Sequence, residues 1–187
     1  SHRRLPASNV SDTLDRNMHM SELTDFRKAK DLFFGSDAES PLTPDQQRGF
    51  RGLSYYDEDP DLRLELSVRE FDDKEVVEMQ TSTGVTATYR RWGRVAFDVD
   101  GETAELTLYQ DSHGHGDEFF VPFVDSTSGD ETYGSGRYIE AHPLPGGKVL
   151  IDFNYAYNPY CAYNERWSCP IPPPENRLRV AVRAGER

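Results

Sequence analysis

Two alternating apolar runs joined by Asp100-Gly101 constrain this chain more than any other feature. Val95, Phe97 and Val99 precede the dipeptide, and Ala104, Leu106 and Leu108 follow it. A two-residue turn with positive φ at both positions matches the twist of antiparallel strands, and Asp-Gly tolerates that geometry. The turn pairs Val99 with Glu102, Phe97 with Ala104 and Val95 with Leu106, so the apolar faces of the two strands coincide. The pattern demands a sheet with one buried face.

The same period recurs along the chain. Leu62, Leu64, Leu66 and Val68 alternate with Arg63, Glu65, Ser67 and Arg69, and Val85, Ala87 and Tyr89 alternate with Thr86, Thr88 and Arg90. Phe119 to Val124 is apolar on both faces, as in a strand buried from two sides. Tyr138-Ile139, Val149 to Tyr157, and Leu178, Val180 and Val182 supply further strands. About nine short strands separated by turn residues predict a mainly β protein, a single antiparallel β-barrel or β-sandwich domain.

Helical spacing is confined to the region before Asp61. Residues 1–20 are polar and are expected to fray. From Ser21, Leu23, Phe26, Lys30 and Phe33 share a helical face, and Gly35 is placed to stop the helix. A second short helix is expected after Thr43, with Pro44 at its first position and Gln46 completing a capping box. The expected organisation is a flexible segment 1–20 and one β domain, 21–187, with a helical prelude.

Composition narrows the functional classes. Leu, Ile, Val and Phe make 39 of 187 residues, close to the limit below which chains stay unfolded. The net charge of −12 argues against a broad nucleic-acid footprint and against docking on anionic lipid. No stretch approaches the roughly 18 apolar residues of a membrane span. With no secretory signal at the start, a cytoplasmic protein is expected. Only 4 of the 21 basic residues are Lys. That balance resembles proteins from the cytoplasm of salt-loving organisms, and a GC-rich genome favouring Arg codons is the alternative.

The densest unusual stretch runs from Asp152 to Asn176. Alternation sends Val149, Ile151, Phe153, Tyr155 and Tyr157 to one face and Asp152, Asn154 and Asn158 to the other. If the second face lines a barrel interior, its carboxylate and amides need partners, because buried polar groups are costly unless paired. A ligand, trapped water or an internal network would satisfy them. Alternatively, Asn and Tyr side chains tie down a long irregular loop stiffened by Pro159, Pro170 and Pro172 to Pro174.

At this point the chain resembles the bacterial and archaeal proteins grouped as domain-of-unknown-function family 1684. The matching phrases are Phe123 to Gly129, Glu131-Thr132-Tyr133-Gly134, Gly136-Arg137-Tyr138 and the run from Asp152 through Asn176. The likeness extends from about Ser21 to the last residue and implies no particular reaction.

A second candidate wall is the phrase from Thr127 to Tyr138, where Asp125, Asp130, Glu131 and Arg137 stand beside Gly129, Gly134 and Gly136. Glu131 or Asp152 near Arg137 could clamp an anion or position a carboxylate, or could fix a loop. The leading expectation is a small polar molecule bound inside the sheet. Asp152, Asn154 and Asn158 would supply hydrogen bonds, Arg137 would meet a negative group, and Tyr133, Tyr157 and Tyr160 would stack. Glu131, Cys161 and Asn164 complete the candidate set, and no cofactor is assigned.

Two other chemistries are considered. Cys161 and Cys169 are the only cysteines and are read as reduced, packed side chains, with a disulfide or a reactive thiol as alternatives. His113-Gly114-His115-Gly116-Asp117 has the donor types of a hydrolytic zinc site, but Glu118 stands where a further His is wanted, so a solvated loop is expected. The alternatives to ligand binding are thus a hydrolase using carboxylates of the 125–158 region or a metal at His113 and His115, and a partner-binding protein acting through the N-terminal helix.

Overall fold

The computed structural model describes residues 8–113 and 116–187. The chain forms two compact units, 1–52 and 53–187. Among the described residues, no helix is long and apolar enough to cross a membrane.

The first unit is helical. Helix α1 spans Ser8–Ser36, so it begins well before Ser21, where apolar spacing first becomes visible. The early turns are polar, with His19 lying 3.1 Å from Asp15 and 3.6 Å from Glu22 along the helix. Leu23 and Phe34 are buried while Phe26 is 45% exposed, so the buried stripe is narrower than the expected face. Gly35 lies inside the last turn, one residue earlier than the helix end. Helix α2, Pro44–Gly49, carries the expected capping box: the Thr43 hydroxyl accepts from the Gln46 N–H, and the Gln46 side chain accepts from the Thr43 N–H.

The second unit is an antiparallel sheet of eight strands. They are β1 (Arg63–Ser67), β2 (Arg69–Glu70), β3 (Val76–Gln80), β4 (Thr86–Val99), β5 (Glu102–Asp111), β6 (Phe119–Phe123), β7 (Arg137–Leu144) and β8 (Lys148–Asp152). Their order is β1-β8-β7-β6-β5-β4-β2, with β3 also on β4. β1 and β2 are separated only by Val68, so one stretch of chain pairs with β8 first and with β4 next. Opposite ends of the sheet therefore meet, and it curls into a nearly closed barrel. The barrel alternative is the one the chain adopts.

Two local features permit this closure. The β4–β5 hairpin has the register read from the sequence, turning through Asp100 at φ 50° and Gly101 at φ 82°. Farther along, the register shifts between Arg91 and Gly93. This bulge turns Tyr89 and Arg91 to the outer face although they share parity with the inward Val95 and Phe97. Gly93 then lies where β2 crosses. A Cβ on it would stand 2.8 Å from the Arg69 carbonyl oxygen and 2.8 Å from Val68 Cγ1, so only glycine lets the two ends of the sheet meet.

The barrel interior is occupied by its own side chains. Leu106, Leu108, Val121, Phe123, Ile151 and Phe153 have essentially no exposed surface. The Phe153 ring lies 5.3 Å from Phe97 and 5.6 Å from Phe123, centroid to centroid. The inward face of β8 is thus Val149 and Ile151, followed by Phe153, while Leu150 and Asp152 point outward and are half-buried. This corrects the expectation that the face of Asp152 lines the interior: apolar burial claims the enclosed volume first. β8 also ends at Asp152, and a turn of 3₁₀ helix at Phe153–Tyr155 replaces the expected strand.

Candidate functional site

Segment 177–187 crosses one end of the barrel and is held there by main-chain bonds, among them Leu178 N–H to Val124 O and Glu186 N–H to Ala156 O, and by buried side chains. Arg137 shares the inward parity of Ile139 and Ala141 and sits opposite Phe123 across β6 and β7. Its guanidinium donates to the Ala184 oxygen at 2.6 Å, to Glu186 O at 2.9 Å and to Val182 O at 2.7 Å. Carbonyls two residues apart lie on one edge of an extended chain, so one planar fork serves three of them. Asp125 supplies the counter-charge at 3.4 Å and accepts the Val182 N–H at 2.7 Å. Burial pulls the Arg137 pKa below its usual range, with Asp125, Tyr56 and Glu186 opposing the shift; a guanidinium stays charged under such a shift.

Several of the predicted site residues belong to this arrangement. The Asn158 N–H donates to Glu186 Oε2 at 2.7 Å, and Asn158 is 7% exposed. Glu131 pairs with Arg183 and not with Arg137, and it also accepts from the Tyr56 hydroxyl at 3.1 Å. The Arg183 hydrogen bonds hold the Glu131 carboxyl below its usual range. Asp152 caps the turn that follows it, accepting from the Asn154 N–H at 3.0 Å and from Nδ2 at 2.9 Å. Asn154 then reads both main-chain groups of Asp59, at 2.8 Å and 2.9 Å. Burial of these amides was legible in the sequence, but the groups they meet are the chain's own.

The aromatic candidates form a layer on the outer face of the sheet. The Tyr157 hydroxyl donates to Glu140, and its ring meets Tyr138 edge-on at 5.8 Å. Burial raises the pKa of Tyr157 and of Glu140 alike. Tyr160 packs edge-on against Trp167 at 5.3 Å, and the Asn164 carbonyl accepts from the Trp167 N–H at 3.3 Å. The Tyr133 hydroxyl lies 3.7 Å from Cys161 Sγ. Both cysteines are unbridged, and Cys169 Sγ accepts from the Cys161 N–H at 3.3 Å. Burial pushes the Cys169 thiol up to about 11.

The histidine motif falls partly outside the described residues, which exclude Gly114 and His115. His113 is exposed in a turn, with its N–H on Asp111 Oδ1 at 3.0 Å. Among the described residues, no group of three or more His, Cys, Asp or Glu is disposed to hold a metal ion.

The arrangement that sequence reasoning missed lies beside β5. Asn176, fully buried, accepts from the Thr107 N–H at 2.8 Å and donates to Thr107 O at 3.0 Å and Pro122 O at 2.9 Å. Next to it, Glu175 takes a two-pronged pair from Arg91, at 2.9 Å and 2.6 Å, and a bond from the Tyr109 hydroxyl. Burial alone would raise the Glu175 pKa; the Arg91 and Tyr109 hydrogen bonds outweigh it and hold the carboxyl low. Beyond this network opens a groove of 820 Å³, lined by Arg94, Arg177 and Arg179, by Glu102, Glu105 and Glu175, and by the apolar Ala104, Leu178 and Val180; Arg94 pairs with Glu105, and Glu175 with Arg91. Its sequence signal was present in the alternation of Arg177 and Arg179 with Leu178 and Val180.

Fold and site together define a class: an antiparallel barrel with an apolar interior, closed at one end by a tail stitched to a buried arginine, with a charged groove on its wall. The chain belongs to the family described as protein of unknown function (DUF1684), whose model matches residues 48–187. It is similar to an uncharacterized protein of Haloarcula marismortui solved by solution NMR. The two are 40% identical with a TM-score of 0.71, over 95% of this chain and 96% of that one. No curated protein matches the chain.

Proposed function

We propose that this chain is a binding protein for a polar, net-anionic ligand, taken up in the groove between β5 and segment 177–180. The observation that carries the reading is the pair Arg177 and Arg179. Both are exposed on the groove wall and, among the described residues, neither has an ion pair, in a chain of net charge −12. Guanidinium groups left unpaired beside a concave surface are suited to carboxylate or phosphate. The groove volume lies within the range of ligand sites. The filled interior supports a site outside the barrel over one within it.

Amide chemical shifts of the labelled protein, titrated with citrate, inorganic phosphate and an acidic peptide, test this reading. Shifts clustered at residues 103–105 and 177–180, and lost in the Arg177→Glu/Arg179→Glu variant, are expected. Shifts that survive the double charge reversal, or none at millimolar concentration, would remove it.

A further inference from the structure

The groove is bordered on one side by a sheet edge, β5, whose main-chain groups face into it. In the β4–β5 hairpin, the residues flanking a two-residue turn form a hydrogen-bonded pair, and such pairs recur every second residue. Glu102, Ala104 and Leu106 therefore spend their N–H and C=O groups on β4, while Thr103, Glu105 and Thr107 direct theirs to the opposite edge. Thr107 confirms the parity, because both of its main-chain groups meet the Asn176 amide. β6 pairs with β5 only at Tyr109 and Phe120. Beyond Asn176, among the described residues, no strand lies along the edge at Thr103 and Glu105.

The opposite border is segment 177–180, held to the loop that follows β6. Val124 N–H donates to Asn176 O at 3.0 Å, Leu178 N–H to Val124 O at 2.7 Å and Ser126 N–H to Val180 O at 3.0 Å. This border therefore spends its main-chain groups on 124–126 and on its own turn, where the Arg177 N–H donates to Pro174 O at 3.3 Å, and it contributes the exposed Arg177 and Arg179 to the groove lining. At the head of the groove, the Asn176 amide bonds β5 on one side and the Pro122 carbonyl of β6 on the other. The amide thus closes the β5 edge at Thr107 and leaves the edge open at Glu105 and Thr103.

We propose that the groove takes an extended peptide, added as a strand on the open β5 edge at Thr103 and Glu105 and flanked by segment 177–180; this rests on the binding reading above and names its ligand class. Strand addition supplies affinity through main-chain bonds and specificity through alternate side chains. One set of peptide side chains lies over Ala104, Leu178 and Val180, which calls for apolar residues. The other set lies beside Arg177 and Arg179, which calls for carboxylates: Arg94, Glu105 and Glu175 are tied up in pairs, and Glu102 offsets only one of the two remaining arginines. The partner is a segment of another protein in which apolar and acidic residues alternate.

The test uses the full chain and a fluorescent seven-residue peptide alternating Val and Glu. Two controls accompany it: the same peptide N-methylated at alternate residues, and its Val/Lys counterpart. Binding of the Val/Glu peptide is expected to slow amide exchange at Thr103 and Glu105. Either control is expected to bind at least tenfold more weakly. Thr103→Pro, which deletes an exposed edge N–H along with the hydroxyl bond to Asp98, and Arg179→Glu should each weaken the Val/Glu peptide tenfold with the fold retained. Equal affinity for the N-methylated peptide, or unchanged binding to Thr103→Pro, overturns strand addition and leaves an anion-binding groove. Equal affinity for the Val/Lys peptide overturns the acidic partner. If neither peptides nor small anions perturb the groove, the binding reading falls as well.

Discussion

The Arg137 guanidinium and the Asp125 carboxylate meet at 3.4 Å with neither side chain exposed to solvent. Asp125 also accepts the Thr127 hydroxyl at 2.7 Å and the Val182 N–H at 2.7 Å, so its charge is shared between the arginine and the tail. A buried pair of this kind is weak evidence of net stabilisation, but removing one partner strands the other. Arg137→Met would leave the buried Asp125 charge without its counter-ion and three carbonyls without their donor. Urea denaturation should show a loss of about 3–5 kcal/mol. Arg137→Lys should recover only part of it, because one ammonium cannot reproduce the planar fork. An Arg137→Met protein as stable as the parent would show that the tail is held by other contacts.

Gly93 should be intolerant of any side chain. Its Cβ would collide with the Arg69 carbonyl oxygen and Glu70 Cα of the crossing strand as well as with the stiff, branched side chain of Val68. Overpacking of this kind costs about 1–3 kcal/mol. Gly93→Ala should unfold at lower urea, and hydrogen exchange should accelerate at Arg69 and Glu70 before the rest of the sheet. Uniform acceleration would place the damage elsewhere.

Asn176→Ala should cost about 3 kcal/mol, since it leaves buried main-chain groups of Thr107 and Pro122 without partners. Asn176→Asp should be no better, because the lost Nδ2 supplied two of the three bonds. A thermal melt of the two variants beside the parent checks the order, and a benign Asn176→Asp would contradict the donor assignment.

Glu140 sets one component of the pH dependence. Burial raises its pKa in the folded state, while hydrogen bonding from Tyr157 opposes the shift. A carboxyl raised on folding contributes most below its unfolded pKa, and that contribution falls as pH rises through the folded value. Glu131 and Glu175, both held low, act in the opposite direction: their contributions are lost as pH falls through the folded values. The difference between the parent and Glu140→Gln isolates the first component. The variant should gain stability relative to the parent as pH rises from 4 to 7, read from urea midpoints. A constant difference would place Glu140 in a solvent-like environment.

The sheet was legible because period-two alternation and the Asp100-Gly101 turn are local. The hairpin register follows from two residues and the pleat. The same rule failed on β8, where Val149 to Tyr157 reads as one strand. Asp152 caps a turn there, and a side-chain bond to the next N–H but one overrides alternation. The start of α1 was missed for a related reason, since its first turns carry no apolar stripe to announce them.

The candidate amides and Arg137 were recognisable as polar groups destined for burial, but their partners were not. Val182, Ala184 and Glu186 lie 45 or more residues from Arg137. No local pattern encodes which carbonyls a guanidinium meets at that separation. The sequence by itself determined the β4–β5 hairpin with its turn and most of the other strands, because these depend on neighbours two residues apart; it did not announce β3, and the strand expected over Leu178, Val180 and Val182 is an irregular segment. Only the tertiary structure decided that the enclosed space is apolar, that Arg137 secures the tail and that a groove opens beyond Asn176. Those outcomes depend on which distant segments compete for the same buried volume and the same hydrogen-bonding edges.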